Sequence, residues 1–366
     1  MRVMFVDDEP LVLEAVERVL FSLNKDWEIA FSHGGPEALA TLEAGHLDVV
    51  VSDMRMPVMD GGELLRQMRD KSPSTVRIML SGHTELEDAL RALNVAHRFL
   101  SKPCDARQLV EAIESAVSLR SLLDDAKLQE LVGGIDRFPP APRIYAAVNQ
   151  ALLDPLVDAH AIAAILAQDP ALTAKVLHLA NSAFFRSVKP IGDIQTAVTR
   201  IGLSAVRTLV LASEVFDRHE RSAAAATLQL RALHASLLAG QIAEDRKDRS
   251  MIATAALLAD VGKLLTGEDP DQRCTTDLNH VGHAEVGAYL LGLWGLPTPI
   301  VEAVAHHHAP SRIGSSQFDA VGVVHVAVAL ANGCELDRSY LESCNVFRHL
   351  PHWRKLSLWI RDGGHD

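Results

Sequence analysis

The chain has 366 residues, 48% of them hydrophobic and 22% charged, with a formal net charge of −12. That length and composition suit two globular domains with cores of their own, and the acidic balance argues against direct nucleic-acid binding, which needs a basic face. No apolar run approaches the ~20 residues of a membrane span.

The N-terminus turns acidic at Asp7-Asp8, which argues against a secretory signal. Four cysteines, Cys104, Cys274, Cys334 and Cys344, have no metal-like or redox spacing. The expectation is a cytoplasmic protein with reduced thiols.

Over residues 1–120 strand and helix signals alternate. Strands are predicted at Arg2–Val6, Glu28–Phe31, Leu47–Ser52, Val76–Leu80 and around Phe99–Leu100. Helices are predicted at Leu11–Leu23, Pro36–Glu43, Gly62–Asp70, Glu85–Asn94 and Ala106–Leu119. This alternation implies an α/β domain, a doubly wound five-stranded parallel sheet covered by helices on both faces. Such sheets gather their ligands at the strand C-termini.

Those termini carry the polar residues of the segment. Asp7 and Asp8 follow the first strand, Asp53 the third, Ser81 the fourth and Lys102 the fifth. Three carboxylates at one edge need a cation to stay ionised together, and an oxygen-rich set suits Mg²⁺. A hydroxyl and a lysine opposite could hold the new oxygens of an acyl phosphate.

With Met56-Pro57 after the aspartate and Ser101-Lys102-Pro103 after the last strand, the segment resembles the receiver domain of two-component response regulators. The resemblance implies that Asp53 is the phospho-acceptor, supplied by a cognate histidine kinase. It implies Mg²⁺ held by Asp8, Asp53 and the backbone carbonyl of Arg55, with Asp7 supporting. It makes Ser81 and Phe99 the switch residues and Lys102 the partner of the phosphoryl group. Asp60 and Asp48 read as a helix cap and a surface acid.

Residues 121–137 form a linker, with leucines at helical spacing up to Leu131 and a break at Gly133-Gly134. That helix could pair with a second copy in a homodimer or pack on the next domain.

From residue 138 to about 335 strand signals almost vanish, and alanine and leucine recur with helical period. Helices are predicted at Ile144–Leu153, Ala159–Gln168, Ala171–Ala180, Ile194–Ile201, Ala205–Phe216, Leu228–Asp245, Ser250–Leu258, Ala284–Leu293, Ile300–His308 and Ala320–Ala331. The expectation is an all-α bundle. Asp169-Pro170-Ala171-Leu172, Ala180-Asn181-Ser182-Ala183 and Ala259-Asp260-Val261-Gly262-Lys263 make this segment resemble the HDOD domain, a relative of the HD metal-dependent phosphohydrolases.

A hydrolytic site of the HD type needs a His, a His-Asp pair and a distant Asp. His234 and Asp260 match two of these, while Ala259 and Val328 stand at the other two. By this comparison the domain is a non-catalytic binding module that meets a downstream signalling protein, and no metal is expected in it. The alternative is a metal-dependent phosphohydrolase or cyclic-di-GMP phosphodiesterase, with a residual site drawn from His234, Asp260, His283, His307 and His308. Residues 336–366 end in an aromatic, basic stretch around Trp353 and Trp359, expected to cover the core of the preceding domain.

Overall fold

The computed structural model describes residues 1–22, 26–43, 45–81, 95–102, 104, 106–119, 132–133, 147–148, 150–152, 154, 156–182, 185, 190–216, 223–266 and 282–362. Two compact units are present. One comprises Met1–Arg137, His178–Pro190 and Leu293–Gly295; the other comprises Phe138–Leu177, Ile191–Gly292 and Leu296–Asp366.

The first unit holds strands β1 (Arg2–Val6), β2 (Glu28–Ser32), β3 (Val49–Asp53), β4 (Val76–Ser81) and β5 (Arg98–Ser101). They form one parallel sheet in the order β2-β1-β3-β4-β5. Helices α1 (Pro10–Ser22), α2 (Gly35–Glu43), α3 (Gly61–Lys71) and α4 (Ala106–Ser118) accompany it. Every residue of β3 and β4 is buried, which explains their near-continuous apolar runs. The helix expected over Glu85–Asn94 and the helical run to Leu131 lie outside the described residues.

One residue in those strands breaks the apolar rule. Arg77 on β4 is 1% exposed, so its guanidinium must find acceptors inside the protein. Its Nε donates to Val95 O (2.7 Å), Nη1 to Pro73 O and Thr75 O (both 3.1 Å), and Nη2 to Gly133 O (2.5 Å). Nη2 also meets His97 Nε2 at 2.9 Å. The arginine thus ties β4, the segment leading into β5 and the chain at Gly133 together, at the end of β4 remote from Ser81.

The second unit is helical among its described residues. It contains α5 (Ala159–Leu166), α6 (Pro170–Ala180), α7 (Ile194–Phe216), α8 (Ala223–Ile242), α9 (Arg249–Leu258) and the short α10 (Lys263–Thr266). It continues with α11 (His283–Leu293), α12 (Thr298–His306), α13 (Ala320–Asn332), α14 (Arg338–Ser343) and α15 (Leu350–Arg361). The C-terminal part of α6 and the last residue of α11 cluster with the first unit. Helix α7 merges the two expected helices, but its backbone breaks at Gly202 (φ 77°, ψ 158°), where the sequence placed the stop. Asp169 caps the start of α6, accepting from Leu172 N–H at 2.9 Å.

Helix α12 ends at His306 and not at His308 as expected. The following Ala309-Pro310 disfavours helical backbone before the proline, so the helix stops early. On α15, Leu350, Trp353, Ser357 and Ile360 form the buried face. Trp353 stacks on Phe318, with ring centroids 5.3 Å apart and an interplanar angle of 10°. It shares a core with Val326 of α13 and with Tyr340 and Leu341 of α14.

Candidate functional site

Two groups of polar side chains stand out, one in each unit. In the first, parallel register decides which residues meet. Val6 pairs with Ser52 across β1 and β3, Asp53 with Leu80 across β3 and β4, and Ser81 with Ser101 across β4 and β5. Asp7, Asp53, Ser81 and Lys102 therefore all fall at, or one step past, the C-terminal edge of neighbouring strands.

Lys102 closes the group. Its Nζ lies 2.7 Å from Asp7 Oδ2 and also pairs with Asp53 Oδ1. Burial alone would lower the lysine's pKa, but its bonds to Asp53 and Asp7 outweigh that and raise it. The remaining carboxylate oxygens are held by backbone: Arg55 N–H donates to Asp53 Oδ2 (2.9 Å) and Glu9 N–H to Asp7 Oδ1 (3.0 Å). Asp7, Asp53, Ser81 and Phe99 are buried, while Asp8 is partly exposed. Three carboxylates against one ammonium leave two net negative charges, and an all-oxygen donor set of that charge fits a hard divalent cation.

Helix α3 starts directly beside this group. Asp60 caps it, accepting from Glu63 N–H at 2.8 Å, and Gly61 N–H donates to Met54 O at 2.9 Å. A Cβ on Gly61 would fall within the van der Waals shell of Asp53 O and 3.0 Å from Met79 Sδ, so only glycine fits this approach. The preceding loop carries strain, because Val58 is a β-branched residue at φ 70° and is 96% exposed. Val58→Gly should therefore raise stability by about 1 kcal/mol, read from the chemical-denaturation midpoint. An unchanged or lower midpoint would contradict a strained backbone there.

In the second unit, the ends of several helices bring Asp260, His283, His307 and His308 together. Asp260 follows α9, His283 opens α11, and His307 and His308 follow α12. The close approach rests on Gly262, where a Cβ would collide with His283 O and come within 2.9 Å of Gly287 N. Asp260 Oδ1 lies 3.0 Å from both His283 Nε2 and Lys263 Nζ, and Oδ2 accepts from Asn332 Nδ2 at 2.7 Å. Burial opposes ionisation of Asp260, but His283 and the Lys263 ammonium hold its carboxyl well below the usual range. Burial, reinforced by the neighbouring imidazoles, pushes the His308 pKa far down, so its ring is neutral.

Of the five sequence candidates in this unit, four converge and one does not. His234 on α8 faces α15, with Nε2 3.0 Å from Ser357 O and 3.1 Å from Ser357 Oγ. Ala259 and Val328 are buried. His325 on α13 was not among the candidates, yet it shapes the group. It contacts His307 O through Nδ1 (2.7 Å) and accepts Asp337 N–H at Nε2 (2.9 Å), which fixes Nδ1 as its protonated nitrogen. A histidine inside the apolar run Val323–Ala329 was the available signal.

Comparison with known proteins adds to this geometry. Residues 3–114 match the response regulator receiver domain, 138–275 the HDOD domain, and 231–338 the HD domain. The chain is 34% identical over 122 residues to the hydrogenase transcriptional regulatory protein HoxA of Bradyrhizobium diazoefficiens, covering 33% of this chain and 24% of that protein. It is 31% identical over 196 residues to an uncharacterized protein of Treponema pallidum, covering 48% of this chain and 38% of that one. The matches thus span less than half the length of either relative. Among solved structures, the MmoQ response regulator from Methylococcus capsulatus aligns with a TM-score of 0.49 at 23% identity, over 60% of this chain and 98% of that one. Among the described residues no helix is long and apolar enough to cross a membrane.

Proposed function

Because the chain carries an N-terminal response regulator receiver domain followed by HDOD and HD domains, we propose that it is a phosphorylation-controlled regulator with Asp53 as phospho-acceptor. The observation that carries this reading is the Lys102 ammonium lying between the carboxylates of Asp53 and Asp7 at the sheet edge. A carboxylate in that place is held ready as a nucleophile, and the lysine is poised to follow the charge.

In this scheme an Asp53 oxygen attacks the phosphorus of a phosphohistidine on a cognate histidine kinase. The P–N bond breaks as the acyl O–P bond forms, and the histidine keeps the electron pair. Lys102 then transfers its ion pair from the carboxylate to the phosphoryl oxygens, and Ser81 is close enough in register to bond one of them. Mg²⁺ bound by Asp8, Asp53 and the Arg55 carbonyl, with Asp7 in support, would neutralise phosphoryl charge. Rearrangement of Ser81 and Phe99 passes the change to the rest of the chain.

The HDOD/HD part serves as the output, a surface for a downstream signalling protein or a second copy of the chain. Ala259 and Val328, at positions where the HD pattern needs ligands, and His234, bonded to Ser357, support this over hydrolysis. One observation favours a second reading, a metal-dependent phosphohydrolase or cyclic-di-GMP phosphodiesterase: the convergence of Asp260 with three histidines.

Incubation of the full chain with acetyl phosphate and Mg²⁺ tests the main reading. Intact mass should rise by one phosphoryl group in wild type and stay unchanged in Asp53→Asn, with a change of oligomeric state in wild type alone. Unmodified wild type, or equal modification of the variant, sinks it.

A further inference from the structure

One region of the second unit runs against the charge of the chain. Neither the 20 residues of α8 nor the 12 of α15 include an aspartate or glutamate, although the chain has 47 of them and a net charge of −12. The two helices meet where His234 of α8 contacts Ser357 of α15. Leu350, Trp353, Ser357 and Ile360 turn one face of α15 to the core, and the opposite face is left to solvent.

On that outer face Arg354, Lys355, Leu358, Trp359 and Arg361 are all exposed. Arg354, Leu358 and Arg361 share one stripe at helical spacing, and Lys355 and Trp359 share the adjoining one. Leu358 is 49% exposed and Trp359 43%, too much for side chains that serve the core alone. On α8, Leu230 and Leu237 stand four residues before His234 and three after it, on the same side of the helix. They are 61% and 37% exposed, so the apolar surface continues from one helix to the other. Burial lowers the His234 pKa and the Arg361 guanidinium adds to the effect, which puts Arg361 beside the same crossing. Among the described residues Arg354 and Lys355 have no carboxylate partner, while Arg361 has Asp362 at 3.7 Å on the surface.

We infer that the outer face of α8 and α15 docks the chain on an anionic phospholipid surface, peripherally and without spanning it. Exposed leucines beside a tryptophan suit the boundary between headgroups and acyl chains, where tryptophan rings settle. Arginine and lysine stems lie along apolar surface there and lift their charges to the lipid phosphates. Attraction to an anionic leaflet is worth about fivefold in affinity for each Lys or Arg close to it. Duplex nucleic acid would engage the same cations through its phosphates but would leave Leu230, Leu237 and Leu358 facing water. Such docking needs neither phosphorylation of Asp53 nor a bound metal.

The full chain is co-sedimented with vesicles of phosphatidylcholine alone and with vesicles of phosphatidylcholine and phosphatidylglycerol in equal parts. It should bind the phosphatidylglycerol vesicles selectively and be largely released in about 1 M NaCl, where the Debye length falls to ~3 Å. Arg354→Glu with Lys355→Glu should weaken vesicle binding by about 100-fold or more. Trp359→Ala should weaken it by about tenfold, and serves alone if the double variant does not fold. Poly-glutamate offered in place of vesicles separates a lipid surface from an acidic protein. Binding to poly-glutamate but not to vesicles would assign the face to an acidic protein partner and overturn the proposal. Equal binding to both vesicle types, or undiminished binding by the variants, would overturn it too.

Discussion

Gly61→Ala is expected to destabilise the first unit by about 3 kcal/mol and to slow acetyl-phosphate labelling of Asp53 by about 10²-fold. The added methyl has nowhere to go, because Asp53 O and Met79 Sδ already fill the space it would need. Either α3 backs away, losing the bond from Gly61 N–H to Met54 O, or the end of β3 shifts with Asp53 on it. The second route moves the carboxylate relative to Lys102, and the first frees the Met54 carbonyl next to it. Urea denaturation followed by circular dichroism measures the first effect and intact mass against time the second. Wild-type values for both would show that α3 does not constrain Asp53.

Trp353→Ala is expected to cost the second unit about 3–5 kcal/mol, the range for emptying a buried aromatic site. Its ring lies parallel to Phe318 and shares a core with Val326, Tyr340 and Leu341, so truncation leaves a cavity spanning α13, α14 and α15. Trp359 is the internal control. It lies on the same helix at 43% exposure, and Trp359→Ala should stay within about 0.5 kcal/mol of wild type. Thermal melts of the two variants decide the matter. Similar midpoints would mean that α15 does not complete the core.

The sequence conveys the first unit well because its chemistry is tied to strand ends. Strands buried on both faces read as apolar runs, and the parallel register then makes Asp7, Asp53, Ser81 and Lys102 neighbours without further information. The second unit is harder to read because its polar group depends on distant chain segments. Helical spacing places His234 on α8 but does not say which neighbour its ring faces, and that neighbour, Ser357, lies 123 residues away. The pairing of His283 with Asp260 depends on the absence of a side chain at Gly262. His307 and His308 come into reach because α12 stops before them, a local effect of Pro310 that periodicity alone does not show. Arg77 was also missed, although a lone charged residue in the run Val76–Leu80 was the available signal.

Arg77 also bears on where the chain can be divided. By sequence pattern the first domain ends near residue 120, and the family match ends at residue 114. The guanidinium, however, spends one of its donors on the carbonyl of Gly133. Cutting at the pattern's boundary would strip that acceptor from a buried cation and uncover Val132, which is 1% exposed. A fragment that keeps this contact therefore runs past Gly133, and residues 132–133 pack on the unit whose sheet carries Asp53.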